Sequence, residues 1–174
     1  MIIDCHLFSD VWWGKAEPIY VTAYRRAKVN SKDANWRFPQ GATEGSVGVV
    51  KNITFSNIKC NSENGIYVSA ESKDKIDNII FDQVDIFIDK TTSLEGGIYD
   101  RRPSEVEGFI KGRTSGFYFD TAKDIVIRNC SVKWGDNRPV YFSHALESTN
   151  VDKIDMINFT GESAFPGKVD AIKK

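Results

Sequence analysis

Four tyrosines recur at equivalent places in the chain and could line a binding surface for a carbohydrate. They are Tyr20, Tyr67, Tyr118 and Tyr141, and each lies between two apolar residues of a short strand-like segment. Because side chains alternate across a strand, the apolar neighbours should point inward and the tyrosines outward. A row of exposed aromatic rings would form a floor on which sugar rings stack. The alternative is that tyrosine is favoured in strands and packs against its neighbours.

Several charged and aromatic residues flank these segments and could complete such a site. Arg101 and Arg102 follow Asp100 in the sequence GGIYDRRP, and neighbouring guanidinium groups can bind a carboxylate in bidentate fashion. A surface turn whose charges pair with one another or face solvent is the alternative. Trp13, the second of two adjacent tryptophans, and Lys15 could line the same surface, or the tryptophans could fill the space under a turn.

The tyrosine segments are part of a longer repeat, and the stacking of these repeats would place the tyrosines beside one another. The segment Val50–Ala70, VKNITFSNIKCNSENGIYVSA, contains three short stretches in which apolar and polar residues alternate. Parts of it recur later, and self-similarity at such a period predicts a β-helical solenoid of stacked coils. One polar position between strands should adopt a left-handed backbone bend. It is occupied by Asp4, Asn57, Gln83, Asn129 and Asn158.

Length and composition predict one domain over residues 1–174, with loop insertions at about 27–48 and 87–115 and a closing segment at 161–174. The 174 residues carry a net charge of −1, which predicts no general attraction to nucleic acid or to an anionic membrane. No apolar run approaches the ~18 residues needed to cross a bilayer. Three widely spaced cysteines indicate neither a disulfide framework nor a metal site, and no motif indicates a cofactor.

The first coil begins at the very start of the sequence, without the capping element that usually covers the end of a solenoid. We therefore expect an open N-terminal edge. It would be covered by further coils of a longer protein or by a partner, including a second copy of this chain. No signal-peptide pattern precedes the first strand.

The order and spacing of several segments resemble the C-terminal part of glycoside hydrolase family 28, the polygalacturonases and rhamnogalacturonases. They are WWGKAEPIYVTA, VKNITFSNIKCNSENGIYVSA, GGIYDRRP, VIRNCSVKWGDNRPVYFSHALE and AFPGKVDAI, and together they cover nearly the whole chain. The resemblance implies a right-handed parallel β-helix, here of about four to five coils. It also implies an exported parent enzyme that hydrolyses acidic pectic polysaccharides with inversion.

The catalytic motifs of that family are missing from this chain. Its Asn-Thr-Asp, Asp-Asp, Gly-His-Gly and Arg-Ile-Lys motifs do not occur in the sequence. Asp120 lies on the tyrosine face, but the neighbouring outward positions carry only serine and threonine, and an inverting glycosidase needs two carboxyl groups. We therefore expect no catalytic residue and no hydrolysis by the isolated chain.

What the resemblance does imply is part of a substrate groove. The expected contacts are the four tyrosines with Trp13 and Asp120, and basic residues that would meet galacturonate carboxylates, namely Lys15, Arg25, Arg101, Arg102 and Arg138. Two other classes of function stay open: a non-catalytic carbohydrate-binding β-solenoid, and a structural or assembly module.

Overall fold

A computed structural model describes residues 1–7, 15–25, 47–101, 104 and 106–174, and within them the fold is all-β. One short 3₁₀ helix, Lys73–Lys75, is the only helix in these ranges, and none there is long and apolar enough to cross a membrane. The strands are β1 Ile2–Cys5, β2 Tyr20–Ala23, β3 Val50–Ser62, β4 Ile66–Ala70, β5 Ile76–Ile88, β6 Ile98–Asp100, β7 Phe109–Lys111, β8 Phe117–Arg128, β9 Ser131–Trp134, β10 Leu146–Ile157, β11 Thr160–Gly161 and β12 Ile172–Lys173.

Ten of these strands form one sheet in which every pair is parallel. The pairing arranges the strand segments in three rows. Row A contains β2, β4, residues 117–120, residues 146–149 and β12. Row B contains residues 50–56, 76–82, 122–128 and 151–157. Row C contains β1, residues 58–62, residues 84–88, β9 and β11.

Apolar side chains from all three rows meet in one buried core. Alternation within each strand explains this arrangement, because every second residue points to the same face. Ile66 and Val68 of row A, for example, are fully buried in that core, and so are Ile79 and Phe81 of row B. Cys60 and Cys130 are buried there as free thiols.

Left-handed bends separate row B from row C at the predicted positions. Asn57, Gln83, Asn129 and Asn158 have φ values of 55, 56, 52 and 52°. The Asn158 side-chain amide donates to Asn129 Oδ1 at 3.1 Å, which links neighbouring bends. The prediction is wrong for Asp4, which pairs with Asn61 inside the β1–β3 ladder.

A second set of left-handed residues, not predicted from the sequence, lies at or near the start of the row B segments. Its φ values are between 53 and 62°; three members are asparagines, which tolerate this conformation, whereas the fourth, Thr121, is a β-branched residue that rarely adopts it. Neighbouring members are again linked, since Asn78 Nδ2 donates to Asn52 Oδ1 at 2.8 Å. The set comprises Asn52, Asn78, Thr121 and Asn150. Each repeat therefore turns twice through left-handed single residues.

The strand predicted around Tyr141 is wrong. Residues 139–143 form a turn in which the Phe142 N–H donates to the Pro139 carbonyl at 2.9 Å, and Val140, expected inside, is 96% exposed. The row A segment begins later, at Leu146, and Glu147 pairs with Tyr118. The sequence PVYFS alternates like the tyrosine strands, but it forms this turn, and Phe142 contributes only an isolated parallel bridge with Thr114.

The insertion between β5 and β8 contains an antiparallel two-strand unit, the β6–β7 pair. The sequence predicts that Ile98–Asp100 leaves the repeat as a loop; it does leave the parallel sheet, but it forms strand β6. Tyr99 of β6 and Ile110 of β7 pack on the outer face of row A. In the C-terminal segment, β12 extends row A by pairing with β10.

Candidate binding site

Three of the four predicted tyrosines stack across row A, as their spacing implies. Tyr20 pairs with Tyr67, and Tyr67 pairs with Tyr118, with ring centroids 5.8 and 5.5 Å apart. Tyr67 and Tyr118 belong to a cluster separate from the main core, and Tyr20 is 42% exposed, so the three side chains point outward.

The expected row of exposed rings is nevertheless wrong at two of these positions. The Tyr99 ring stacks on Tyr67 with centroids 4.6 Å apart and planes 19° apart, so that Tyr67 is fully buried and Tyr118 is 4% exposed. Tyr20, at the edge of the row, stays 42% exposed. The β6–β7 pair therefore acts as a cover over most of the surface that the sequence predicted for sugar stacking.

Burial also keeps these phenols in their neutral form. It raises the pKa of Tyr118 to about 12, and it raises that of Tyr67 further because the ring is enclosed. Buried tyrosine hydroxyl groups generally need hydrogen-bond partners. The Tyr67 hydroxyl is buried without one in the described part of the chain.

A polar cluster lies beside the covered tyrosines and is built by three strands and the end of β6. We call it the Arg101 cluster; it comprises Tyr24, Ser69, Arg101 and Asp120. Arg101 Nη1 lies 3.8 Å from Asp120 Oδ2 and 3.3 Å from the Tyr24 hydroxyl. Ser69 Oγ donates to Asp120 Oδ2 at 3.0 Å and is also hydrogen-bonded to the Tyr24 hydroxyl.

Glu17 extends this polar region toward Tyr20. Its Oε2 accepts a hydrogen bond from the Lys15 backbone N–H at 2.7 Å, whereas Oε1 is buried without a partner in the described residues. Burial, reinforced by the charge of nearby Asp100, raises the pKa of Glu17 to about 7. The Tyr20 hydroxyl donates to the Asp100 carbonyl at 2.6 Å. A neutral carboxyl group, which can donate a hydrogen bond, is therefore present in this region below about pH 7.

Unpartnered buried polar atoms concentrate in this region. Among the described residues four such side chains exist, and three of them, Glu17, Tyr67 and Arg101, belong to the cluster or adjoin it. The atoms are Glu17 Oε1, the Tyr67 hydroxyl and Arg101 Nε. Folded proteins satisfy most buried polar atoms, so a group of exceptions in one place needs an explanation. Polar groups of a ligand would provide one.

Glu147 is a buried carboxylate that sequence reasoning missed. Glu147 pairs with Tyr118 on the next strand of row A. The sequence pattern predicts Tyr141 at that position. The Glu147 carboxylate accepts hydrogen bonds from Arg113 at 2.8 Å, Ser115 at 2.9 Å and Lys173 at 3.0 Å. Burial alone would raise its pKa, but these partners lower it. The sequence did contain a signal for this strand, because apolar Leu146 is followed by polar Glu147 and Ser148. It was overlooked because residues 139–143 resemble the tyrosine strands more closely.

The other predicted contacts are dispersed. Arg138 donates to the backbone carbonyls of Gly135, Ala164 and Trp134, at 2.5, 3.1 and 3.1 Å, and thereby holds a turn against the C-terminal segment. Arg25 pairs with Glu71 at 3.7 Å. Lys15 is buried close to Glu17. Tyr141 packs edge-on against Phe142, away from the tyrosine stack. Trp13 and Arg102 lie outside the described residues.

The groups of this region are suited to hydrogen bonding with a polar ligand. In the ranges that the structure describes, no group of three or more His, Cys, Asp or Glu side chains is placed to hold a metal ion. The region contains the guanidinium group of Arg101, the carboxyl group of Glu17, which is neutral at mildly acid pH, and the half-exposed ring of Tyr20.

Comparisons with known proteins add no identification. No family model matches the chain, and searches of curated proteins and of solved structures find no significant match.

Proposed function

We propose that the chain is a segment of a right-handed parallel β-helix from a pectin-type polysaccharide hydrolase, and that the Arg101 cluster with Glu17 and Tyr20 forms part of its substrate groove. The parallel rows support the architecture, because successive repeats run through rows A, B and C in the same order. The left-handed bends between rows B and C support it as well, since Asn57, Gln83, Asn129 and Asn158 occupy matching positions of successive repeats. About four to five coils account for the chain.

The observation that carries the proposed binding function is the set of buried atoms without partners. Arg101 Nε is a donor, the Tyr67 hydroxyl can donate and accept, and Glu17 Oε1 belongs to a carboxyl group that is neutral at mildly acid pH. A sugar residue offers several hydroxyl groups within a small volume and would satisfy such a set. An acidic sugar adds a carboxylate, with which a guanidinium group forms strong charge-assisted hydrogen bonds.

The half-exposed ring of Tyr20 defines where such a sugar would enter. Tyr67 and Tyr118 are closed off by Tyr99, so the tyrosine row has an accessible aromatic surface at the Tyr20 end. The hydroxyl of Tyr20 donates to the Asp100 carbonyl, which fixes the ring against the end of β6, and the Arg101 guanidinium group lies over the ring of Tyr24, 5.4 Å from its centroid. An aromatic platform next to a cation is a suitable combination for a uronic acid residue.

We propose further that this chain alone does not hydrolyse polysaccharide. An inverting mechanism requires an acid and a base at a defined separation across the scissile bond, and the motifs that supply them in the resembling family are missing from the sequence. A non-catalytic carbohydrate-binding β-solenoid is the second candidate. The Arg101 cluster and the exposed ring of Tyr20 are consistent with it as well, because binding alone needs no acid–base pair.

Binding measurements with an acidic and a neutral polymer test the proposal. We expect the chain to bind polygalacturonate at low salt, to bind it less at high salt because charge attraction is screened, and not to bind a neutral β-glucan. Arg101→Gln should weaken binding roughly tenfold, as the loss of one charge-assisted contact implies. Arg25→Gln is the matched control, since Arg25 is exposed and already paired with Glu71.

Two results would contradict this assignment. One is equal binding by the Arg101→Gln and Arg25→Gln variants when both melt like the wild type. The other is release of reducing ends from polygalacturonate by the wild-type chain, which would require catalytic carboxyl groups within it and would direct attention to Asp120 and Glu17.

A further inference from the structure

A second surface with features of a sugar platform lies on the outer face of row C, the row that does not contain the tyrosines. Phe87 of β5 projects from this face and is 41% exposed, between two buried neighbours, Ile86 and Ile88. The exposed ring is held by a strand that pairs with a neighbour on each side. Single exposed apolar side chains are common on protein surfaces, but Phe87 also lines a depression together with polar side chains of the neighbouring strands.

The residues around Phe87 are polar and are arranged in register. Asn61 and Lys133 are its direct neighbours on the adjacent strands, and Asp85 precedes it on the same face. Lys59 and Ser131 flank Asp85 in the same way. Together these side chains border a shallow depression of about 280 Å³. We call this surface the Phe87 platform.

Hydrogen bonds fix part of the platform in place. Ser131 Oγ donates to Asp85 Oδ1 at 2.5 Å, and Asn61 Nδ2 donates to Asp4 Oδ1 at 2.8 Å. The Asp85 carboxylate can accept further hydrogen bonds in addition to the one from Ser131. The Asn61 side-chain amide, which donates to Asp4, also carries an oxygen that can accept. They are therefore positioned to meet pairs of hydroxyl groups.

Lysine supplies a cation beside the ring. Lys133 is exposed and has no ion pair within the described residues, whereas Lys59 lies opposite Asp85 in the β3–β5 register. Adjacent strands are about 4.8 Å apart and Lys59 lies two residues earlier in register than Lys133, so the two lysine backbones are about 12 Å apart, diagonally across the surface that contains Asp85 and Phe87. That separation accommodates one sugar ring lying on the phenyl group.

We propose that the Phe87 platform binds a uronic acid residue of an acidic polysaccharide, as a site separate from the Arg101 cluster. The apolar face of the sugar would lie on the Phe87 ring. Asp85 and Asn61 would bind its hydroxyl groups, and Lys133 would bind its carboxylate as a point charge. An acidic sugar fits better than a neutral one because Lys133 is the platform cation with no carboxylate opposite it.

This proposal shares its class of ligand with the proposed function but is argued from different residues, so the two can fail separately. Titration of the ¹⁵N-labelled chain with trigalacturonate locates each site by amide chemical shifts. Shifts at Asn61, Phe87 and Lys133 support the platform. Shifts confined to Tyr20 and Arg101 support the proposed function and overturn the platform. Shifts at neither place overturn both, and cellotriose serves as the neutral ligand.

Three variants test how the platform binds. Phe87→Ala should weaken binding of trigalacturonate at the platform amides roughly tenfold, since it removes the stacking surface. Phe87→Leu keeps apolar bulk without the flat ring and should also weaken it. Lys133→Gln should lower affinity at low salt and have little effect at high salt. Val140→Ala removes an exposed apolar side chain elsewhere and should bind like the wild type.

The outcomes against the platform are specific. If all four variants bind trigalacturonate alike at the platform amides, or if cellotriose shifts them as strongly, the proposal is wrong. It is also wrong if sedimentation shows a dimer that Phe87→Ala dissociates, because the ring would then serve contact between two copies of the chain. Thermal unfolding of each variant establishes that the comparison is made between folded proteins.

Discussion

The outer faces of row A and row C belong to the same sheet and show the same alternation of side chains, yet an outward aromatic ring is buried on one face and exposed on the other. On row A, Tyr67 is fully buried under Tyr99, whereas on row C, Phe87 is 41% exposed. The difference arises from the β6–β7 pair, which packs on row A and leaves the Phe87 platform open. The comparison shows that alternation determines the direction of a side chain, while its exposure depends on what packs against that face.

The largest effect that separates the two faces should come from removing one ring on each. Tyr67→Ala deletes a fully enclosed ring that contacts three other tyrosines, and it should lower the free energy of unfolding by about 3–5 kcal/mol. Phe87→Ala should lower it by less, about 1–2 kcal/mol, because 41% of the residue's surface is already in solvent. Urea unfolding curves measure both, and similar losses for the two variants would show that the faces do not differ as described.

A pair of glycine substitutions tests how tightly the cover is held. Gly97, with φ +73°, lies before β6, and an added Cβ would come within 2.7 Å of the Tyr141 ring. Gly112, with φ +78°, follows β7 and has open space around it.

Gly112→Ala should therefore cost only the strain of a left-handed alanine, about 1–2 kcal/mol. Gly97→Ala should cost roughly 1–3 kcal/mol more, because overpacking is added to the same strain. Thermal unfolding measures the difference. Equal losses would mean that Tyr141 moves aside freely and that the cover is loosely attached.

The last prediction concerns the pH dependence of stability that the Glu17 carboxyl group causes at the edge of the β6–β7 cover. The pKa of Glu17 is raised from 4.5 to about 7 by burial, so between these pH values the folded state binds more protons than the unfolded state. Stability should therefore fall as pH rises through this window, and the Glu17→Gln variant should lack that fall. The variant should gain on the order of 2 kcal/mol relative to the wild type between pH 4 and pH 8.

Phe87→Ala, which leaves Glu17 in place, is the control for this pH series. Its unfolding free energy should follow the wild-type profile from pH 4 to pH 8. If Glu17→Gln follows that profile too, the carboxyl group is more hydrated than its surroundings indicate.

The sequence allowed much of the sheet to be predicted, because alternation and the bend residues are local signals. The outward direction of Tyr20, Tyr67 and Tyr118 followed from their apolar neighbours, and the left-handed bends followed from the recurring amides. The burial of two tyrosines did not follow, since it depends on Tyr99 returning from an insertion. The position of Glu147 was missed because residues 139–143 imitate the tyrosine pattern while a turn hydrogen bond prevents a strand there.

The candidate site was less predictable than the sheet. Arg101 and Asp120 were singled out separately, and the structure brings them within 3.8 Å. Glu17 stands near Trp13 and Lys15 in the sequence and could be named with them as a candidate, but its raised pKa could not be predicted because it results from burial in the fold. Arg138 was predicted to contact substrate, but its guanidinium group binds three carbonyl groups of the fold itself.

The insertion between β5 and β8 leaves the sheet after Ile88 and returns at Phe117, and the ladders on both sides keep their register. The sheet therefore sets where this excursion starts and ends but not how long it is. The insertion between β5 and β8 could therefore be exchanged for a segment of another length, in evolution or by design, without changing the residues of the core. A shorter graft at these two points would turn the covered tyrosines into an open aromatic surface, so one scaffold could serve ligands of different shape.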